Sequence, residues 1–185
     1  KCRIYIFAEG NTEKIYLKHF ENRTYNVQVV PVGTGHTDAK GIVIFAKNYI
    51  DAHGLNLEWG DRGYCVFDSD PASNPKIQEA FNLIWGYKNR GLEVIFSNPS
   101  FEVWFVLHFC QVPYGQSAEQ MKHLVKKLVK ENIPNHVDYS ETTDIYEDIL
   151  DKQKDALKRA RLLHQEQKKV YDSVYSHECN PYTNA

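Results

Sequence analysis

The chain has 185 residues, 42% hydrophobic and 25% charged, with a formal net charge of −2 at neutral pH. That is the composition of an ordinary soluble globular protein. No apolar run approaches the roughly 18 residues of a membrane span, and the near-neutral balance argues against a protein that coats nucleic acid non-specifically. The length suits one domain with a real core, or one domain plus a helical annex. The chain opens on Lys1 rather than Met, so a few native residues are expected upstream, and no secretory apolar segment is read at the start. Cys2, Cys65, Cys110 and Cys179 form neither a CxxC pair nor a framework, so reduced thiols in a cytoplasmic protein are expected.

Cys2 to Ala8 reads as a first strand, with Ile4, Ile6 and Ala8 on one face and Tyr5 and Phe7 on the other. Apolar residues on both faces suit a central strand covered by helices. Glu9-Gly10 follows, the glycine giving a sharp turn, and Asn11 or Thr12 is the expected cap of a helix running to about Glu21. Asn26 to Val32 is a second strand. It leads into Gly33-Thr34-Gly35-His36, a loop that with Lys40 suits either phosphate contact or a plain strand-to-helix turn. Ala39 to His53 carries Ile42, Phe45, Ala46, Tyr49 and Ile50 at helical spacing.

Arg62 to Phe67 is a third strand, running into Asp68-Ser69-Asp70-Pro71, and Pro75 opens a third helix. Leu92 to Phe96 is a fourth strand. Strand–helix alternation implies a mainly parallel sheet with right-handed crossovers. Ser100 is the expected cap of a helix that is apolar nearly all round, with Glu102 as its one acid and His108 as a packed residue. Beyond Pro113 the pattern turns to helices without strands: Ser117 to Lys130, Thr142 to Leu150 and Lys152 to about Tyr175. The expected layout is therefore an α/β domain over residues 1–112 and a helical annex over 113–185.

Two carboxylates two positions apart on an extended backbone, Asp68 and Asp70, point to the same side. Glu9 stands at another strand end, where open α/β sheets keep their ligand crevice. Mg²⁺ takes oxygen ligands and keeps several waters, so Glu9, Asp68 and Asp70 could hold it between them. This requires strands one and three to be neighbours, hence a sheet order 2-1-3-4. Glu13, in the first turn of its helix, suits either a neighbouring role in the metal site or the helix dipole. Glu102 has the same two readings, since a buried acid needs a cation or hydrogen-bond donors. Lys122, Lys126, Lys127 and Lys130, and the basic run from Lys152 to Lys169, read as solvated faces or as surfaces that follow a phosphate backbone.

Three segments together resemble the RloB family: Phe7 to Glu13, Phe67 to Asp70, and Ser97 to Phe109. The glutamate followed by an Asp-x-Asp also marks the wider Toprim superfamily, which includes topoisomerases, bacterial primases and OLD-type nucleases. Asn180-Pro181-Tyr182-Thr183-Asn184 looks like the family's closing motif. The resemblance implies a Toprim-like four-stranded sheet and a Mg²⁺-dependent (or Mn²⁺-dependent) nuclease of bacterial antiphage defence and abortive infection, acting on DNA, RNA or tRNA. It also implies a partner ATPase of the RloA type. It gives Glu9 the acid–base role, makes Asp68 and Asp70 metal ligands, and marks Glu102 as a candidate catalytic residue. A non-catalytic nucleic-acid-binding or partner-docking module is the rival reading. A phosphatase on a doubly wound fold is a third, and lacks a convincing lysine or Ser/Thr motif.

Overall fold

The computed structural model describes residues 2–8, 10–21, 26–32, 38–69, 74–134, 138–173, 175 and 178–185. One sheet has the order β2-β1-β3-β4-β5, made of β1 (Ile4–Ala8), β2 (Val27–Pro31), β3 (Arg62–Asp68), β4 (Leu92–Asn98) and β5 (Tyr182–Thr183). β1 runs parallel to both β2 and β3. Between β3 and β4, Gly63 N–H donates to Gly91 O and Ser69 N–H to Ser97 O, both at 2.8 Å. The equal sequence offset of these two bonds is that of a parallel ladder.

The order 2-1-3-4 expected for the first four strands is present, and β1 and β3 are neighbours. Four strands is corrected to five. β5 pairs antiparallel with the end of β4, Ser97 facing Thr183 and Asn98 facing Tyr182. Two residues are too few for an alternating pattern to betray a strand.

Seven helices accompany the sheet among the described residues: α1 (Asn11–Lys18), α2 (Ala39–His53), α3 (Asn74–Tyr87), α4 (Glu102–Phe109), α5 (Ala118–Asn132), α6 (Tyr146–Ile149) and α7 (Gln153–Val170). The chain forms two compact units, Lys1–Phe67 with Ala72–Ile95, and Asp68–Pro71 with Phe96–Ala185. No helix among the described residues is long and apolar enough to cross a membrane. The four cysteines are free thiols, and burial pushes that of Cys179 up to about 11.

In the first unit, alternation along β1 turns Tyr5 and Phe7 toward α2. Their rings meet Tyr49 at 5.2 and 5.4 Å, and Phe7 meets Phe45 at 6.2 Å. A Cβ on Gly63 would lie 2.8 Å from Ile50 Cδ1, so the glycine lets β3 approach α2 closely. Asp38 caps α2 by accepting from Gly41 N–H at 2.8 Å, and Lys76 of α3 donates to its other oxygen at 2.7 Å. Asp61 is buried and accepts from Arg3 N–H (2.6 Å), Arg3 Nε (2.8 Å), Arg3 Nη2 (2.6 Å) and Asn56 N–H (2.8 Å). Burial alone would raise its carboxyl; those donors outweigh it and hold it below the usual carboxylate range.

Two capping expectations are corrected. Gly10, not Asn11 or Thr12, is the N-cap of α1, at φ −61° and ψ 147°, an ordinary extended conformation. Gly10 is therefore not needed for an unusual turn. Its missing Cβ makes room for Glu13, whose carboxylate would overlap one there. Likewise Phe101, not Ser100, precedes the first residue of α4, and the buried Ser100 Oγ has no hydrogen-bond partner among the described residues.

In the second unit, α4 is buried along nearly its whole length, from Glu102 through His108. It packs on α5 and α7. α5 starts with a capping box between Ser117 and Gln120 and turns Met121, Val125 and Val129 inward, one per helical turn. Arg159 of α7 donates to Leu107 O at 2.7 Å and His108 O at 3.2 Å, satisfying carbonyls at the end of α4. β5 is fixed from several sides. Ser97 Oγ and Thr183 Oγ1 lie 2.9 Å apart, Asn184 Oδ1 accepts from Phe96 N–H at 2.7 Å, and Gln167 Nε2 donates to Pro181 O at 2.7 Å. The Asn98-Pro99 and Asn180-Pro181 peptide bonds are both cis.

Candidate functional site

The β1–β3 register ends at Ala8 opposite Val66. In sequence that is the residue before Glu9 on one strand and two residues before Asp68 on the other. Asp68 closes β3 and is half-buried. The ladder continues past it, through the Ser69 N–H bond to Ser97, so the backbone that carries Asp68 is held on the β4 side. Glu9 and Asp70 lie outside the described residues, as do Gly33, Gly35 and His36.

Glu102 is the first residue of α4 and only 2% exposed. The buried Tyr139 hydroxyl donates to its Oε1 at 3.3 Å, and the Tyr139 ring stands edge-on to Phe105 at 6.1 Å. Lys122, on α5, forms an ion pair with Glu141. That hydrogen bond is the first cause of a raised Lys122 ammonium, and the negative charges of Glu141, Glu102 and Asp68 add to it. Asp68 and Glu102 belong to the same unit as Lys122. Among the described residues no group of three His, Cys, Asp or Glu side chains could hold a metal.

Glu13 is buried in the first turn of α1 with its carboxylate over Gly10. That is where an acid at the third helical position reaches back to the cap. Lys40 pairs with Glu79 at 2.5 Å. His108 is buried, its Nδ1 bonded to Trp104 O at 2.9 Å, while Nε2 has no partner among the described residues. Burial, aided by the charges of Lys152 and Arg159, pushes His108 down to about 4.

The basic run on α7 divides in two. Arg159 is spent on the α4 carbonyls, whereas Lys154, Lys158 and Arg161 line an open groove of about 320 Å³ beside Leu157 and Leu162. Sequence reading missed the pairing of Tyr139 with Glu102 and of Lys122 with Glu141. Lys122 carried a signal only as one of a lysine cluster. Tyr139 and Glu141 stand in a stretch with no periodicity to mark them.

No curated protein and no solved structure matches the chain significantly. A family model described as RloB-like protein matches residues 4–185. The match takes in every element above, including the paired motifs of β4 and β5, and the chain belongs to the RloB-like family.

Proposed function

We propose that the chain is a metal-dependent Toprim-type nuclease that cleaves phosphodiester bonds of nucleic acid, a bacterial antiphage-defence effector working with an RloA-type ATPase. The observation that carries this is a buried carboxylate, Glu102, at the start of α4 and hydrogen-bonded by Tyr139, in the same unit as Asp68 at the end of β3. Membership of the RloB-like family supports it. Asp68 and Asp70, with Glu9, would hold Mg²⁺ or Mn²⁺, Glu102 is a further candidate, and the resemblance gives Glu9 the acid–base role.

A divalent ion held by these carboxylates would supply charge neutralisation at the phosphodiester and a water of lowered pKa. The chain's own contribution is orientation. The ladder bond beyond Asp68 fixes its backbone, Tyr139 orients Glu102, and the packing of α4 excludes water behind it. Lys122 supplies positive charge where a substrate phosphate must approach two carboxylates.

The exposed lysines and leucines along α7 favour a second reading, a non-catalytic module that docks nucleic acid or a partner. One experiment separates the two. The protein is incubated with Mg²⁺ or Mn²⁺ and plasmid, single-stranded DNA and tRNA, beside Glu9→Gln and Asp68→Asn. Cleavage abolished in both variants is expected; full activity in both sinks the nuclease reading.

A further inference from the structure

A cleft of about 420 Å³ opens between α5 and the segment after it, lined by Lys122 and Lys126 on one side and Tyr139, Ser140, Glu141 and Thr142 on the other. That volume is at the low end for small-ligand pockets and has room for one nucleotide unit. Among its donors are two ammonium groups, the His123 ring and two hydroxyls, Ser140 Oγ and Thr142 Oγ1, which stand 3.1 Å apart. The Ser140 turn is built: Ser140 N–H donates to Thr143 Oγ1 at 2.8 Å and Thr143 N–H to Ser140 O at 2.9 Å.

Both lysines are paired, Lys122 with Glu141 and Lys126 with Asp138 at 2.9 Å, but all four side chains are about half exposed or more. Ion pairs this exposed contribute little net stability, so a phosphate can exchange for either carboxylate. Tyr139, which lines the cleft, donates to Glu102, so an anion gripped there lies on the Glu102 side of the second unit.

We infer that this cleft is a subsite for a backbone phosphate of the nucleic-acid strand, flanking the one that is cut and held by Lys122 and Lys126. The inference rests on the nuclease reading for its neighbour, yet phosphate binding needs neither metal nor cleavage. The plain alternative is that the two ion pairs only brace the 138–142 segment against α5.

The test measures binding of fluorescein-labelled oligo(dT) and oligo(U) to the full chain in EDTA, across a salt series. Lys122→Met and Lys126→Ala each weaken binding about fivefold or more and lower the salt slope by about 0.7 for each phosphate left unneutralised. Lys126→Arg keeps wild-type affinity. Asp138→Asn, which frees Lys126, tightens binding about twofold, whereas removal of a mere brace does not. No binding by wild type, or wild-type affinity and slope in folded Lys122→Met and Lys126→Ala, overturns the subsite. A wild type that binds but never cuts with Mn²⁺ overturns the nuclease reading alone.

Discussion

Tyr139 donates its hydroxyl to Glu102 Oε1 across 3.3 Å, joining the segment after α5 to the only acid in a helix that is apolar but for it and His108. A carboxylate this buried needs donors, and at that distance the phenol is a weak one. Tyr139→Phe keeps the ring against Phe105 and removes the donor. A loss of about 1 kcal/mol in urea unfolding is expected, with a larger proportional loss in metal-dependent cleavage because Glu102 is no longer oriented. Unchanged stability and unchanged cleavage would show that Glu102 is held by other means.

Gly10 and Glu13 form a second pair whose logic is steric. A Cβ at position 10 meets the Glu13 carboxylate, so Gly10→Ala should destabilise by about 1–3 kcal/mol, the usual range for overpacking. Glu13→Ala removes the obstacle. The double variant should therefore be much less impaired than the sum of the two singles, a coupling that a denaturant double-mutant cycle reads directly. Additive effects would mean that Glu13 does not occupy that space.

His108 should make stability depend on pH. Its pKa is depressed from the ordinary 6.5 to about 4 in the folded chain, so below pH 6.5 the unfolded chain takes up a proton that the folded chain refuses. The contribution is fully present above about pH 6.5, falls as the pH drops toward 4, and levels off below it. Its full size is about 3 kcal/mol at most. His108→Gln should flatten that part of the profile. Asp61 acts in the same direction at lower pH, because its carboxyl is held down by Arg3 and Asn56 and loses that advantage when protonated.

The hydroxyl pair of Ser97 and Thr183 tests the fifth strand. Thr183→Val keeps the shape and leaves the buried Ser97 hydroxyl short of its partner, at a cost of about 1–2 kcal/mol. Adding Ser97→Ala should recover part of that loss. A pair of variants with no effect would mean that β5 contributes nothing to the second unit.

Much of this was legible in the sequence for a physical reason. A half- or fully buried element prints its period on the chain, and the strands Ile4–Ala8 and Arg62–Asp68 and the helix Ala39–His53 were read within a residue or two. What escaped lacks a period. β5 is two residues long, and its partners are reached through side-chain bonds from Ser97, Asn98 and Gln167. Yet Ser97 to Phe109 and Asn180 to Asn184, read as separate motifs, pair with each other along β4 and β5, a relation that only three dimensions show. The caps were misread because Asn11 and Ser100 have the right chemistry one position away from where Gly10 and Phe101 stand. Asp68 was legible as a strand-end acid and Glu102 as a helix-start acid, but the Tyr139 hydroxyl that meets Glu102 comes from the segment after α5, far along the chain, and nothing local announces it.

The most direct test of the central claim is calorimetric titration of Mn²⁺ into the wild-type chain and into Asp68→Asn. Asp68 is half-buried at a strand end, so the change should leave the fold intact, as an unchanged melting temperature would show. The account predicts a carboxylate-dependent Mn²⁺ site in the wild type that weakens at least tenfold in Asp68→Asn. Equal Mn²⁺ binding by the two proteins, or none by either, would contradict it.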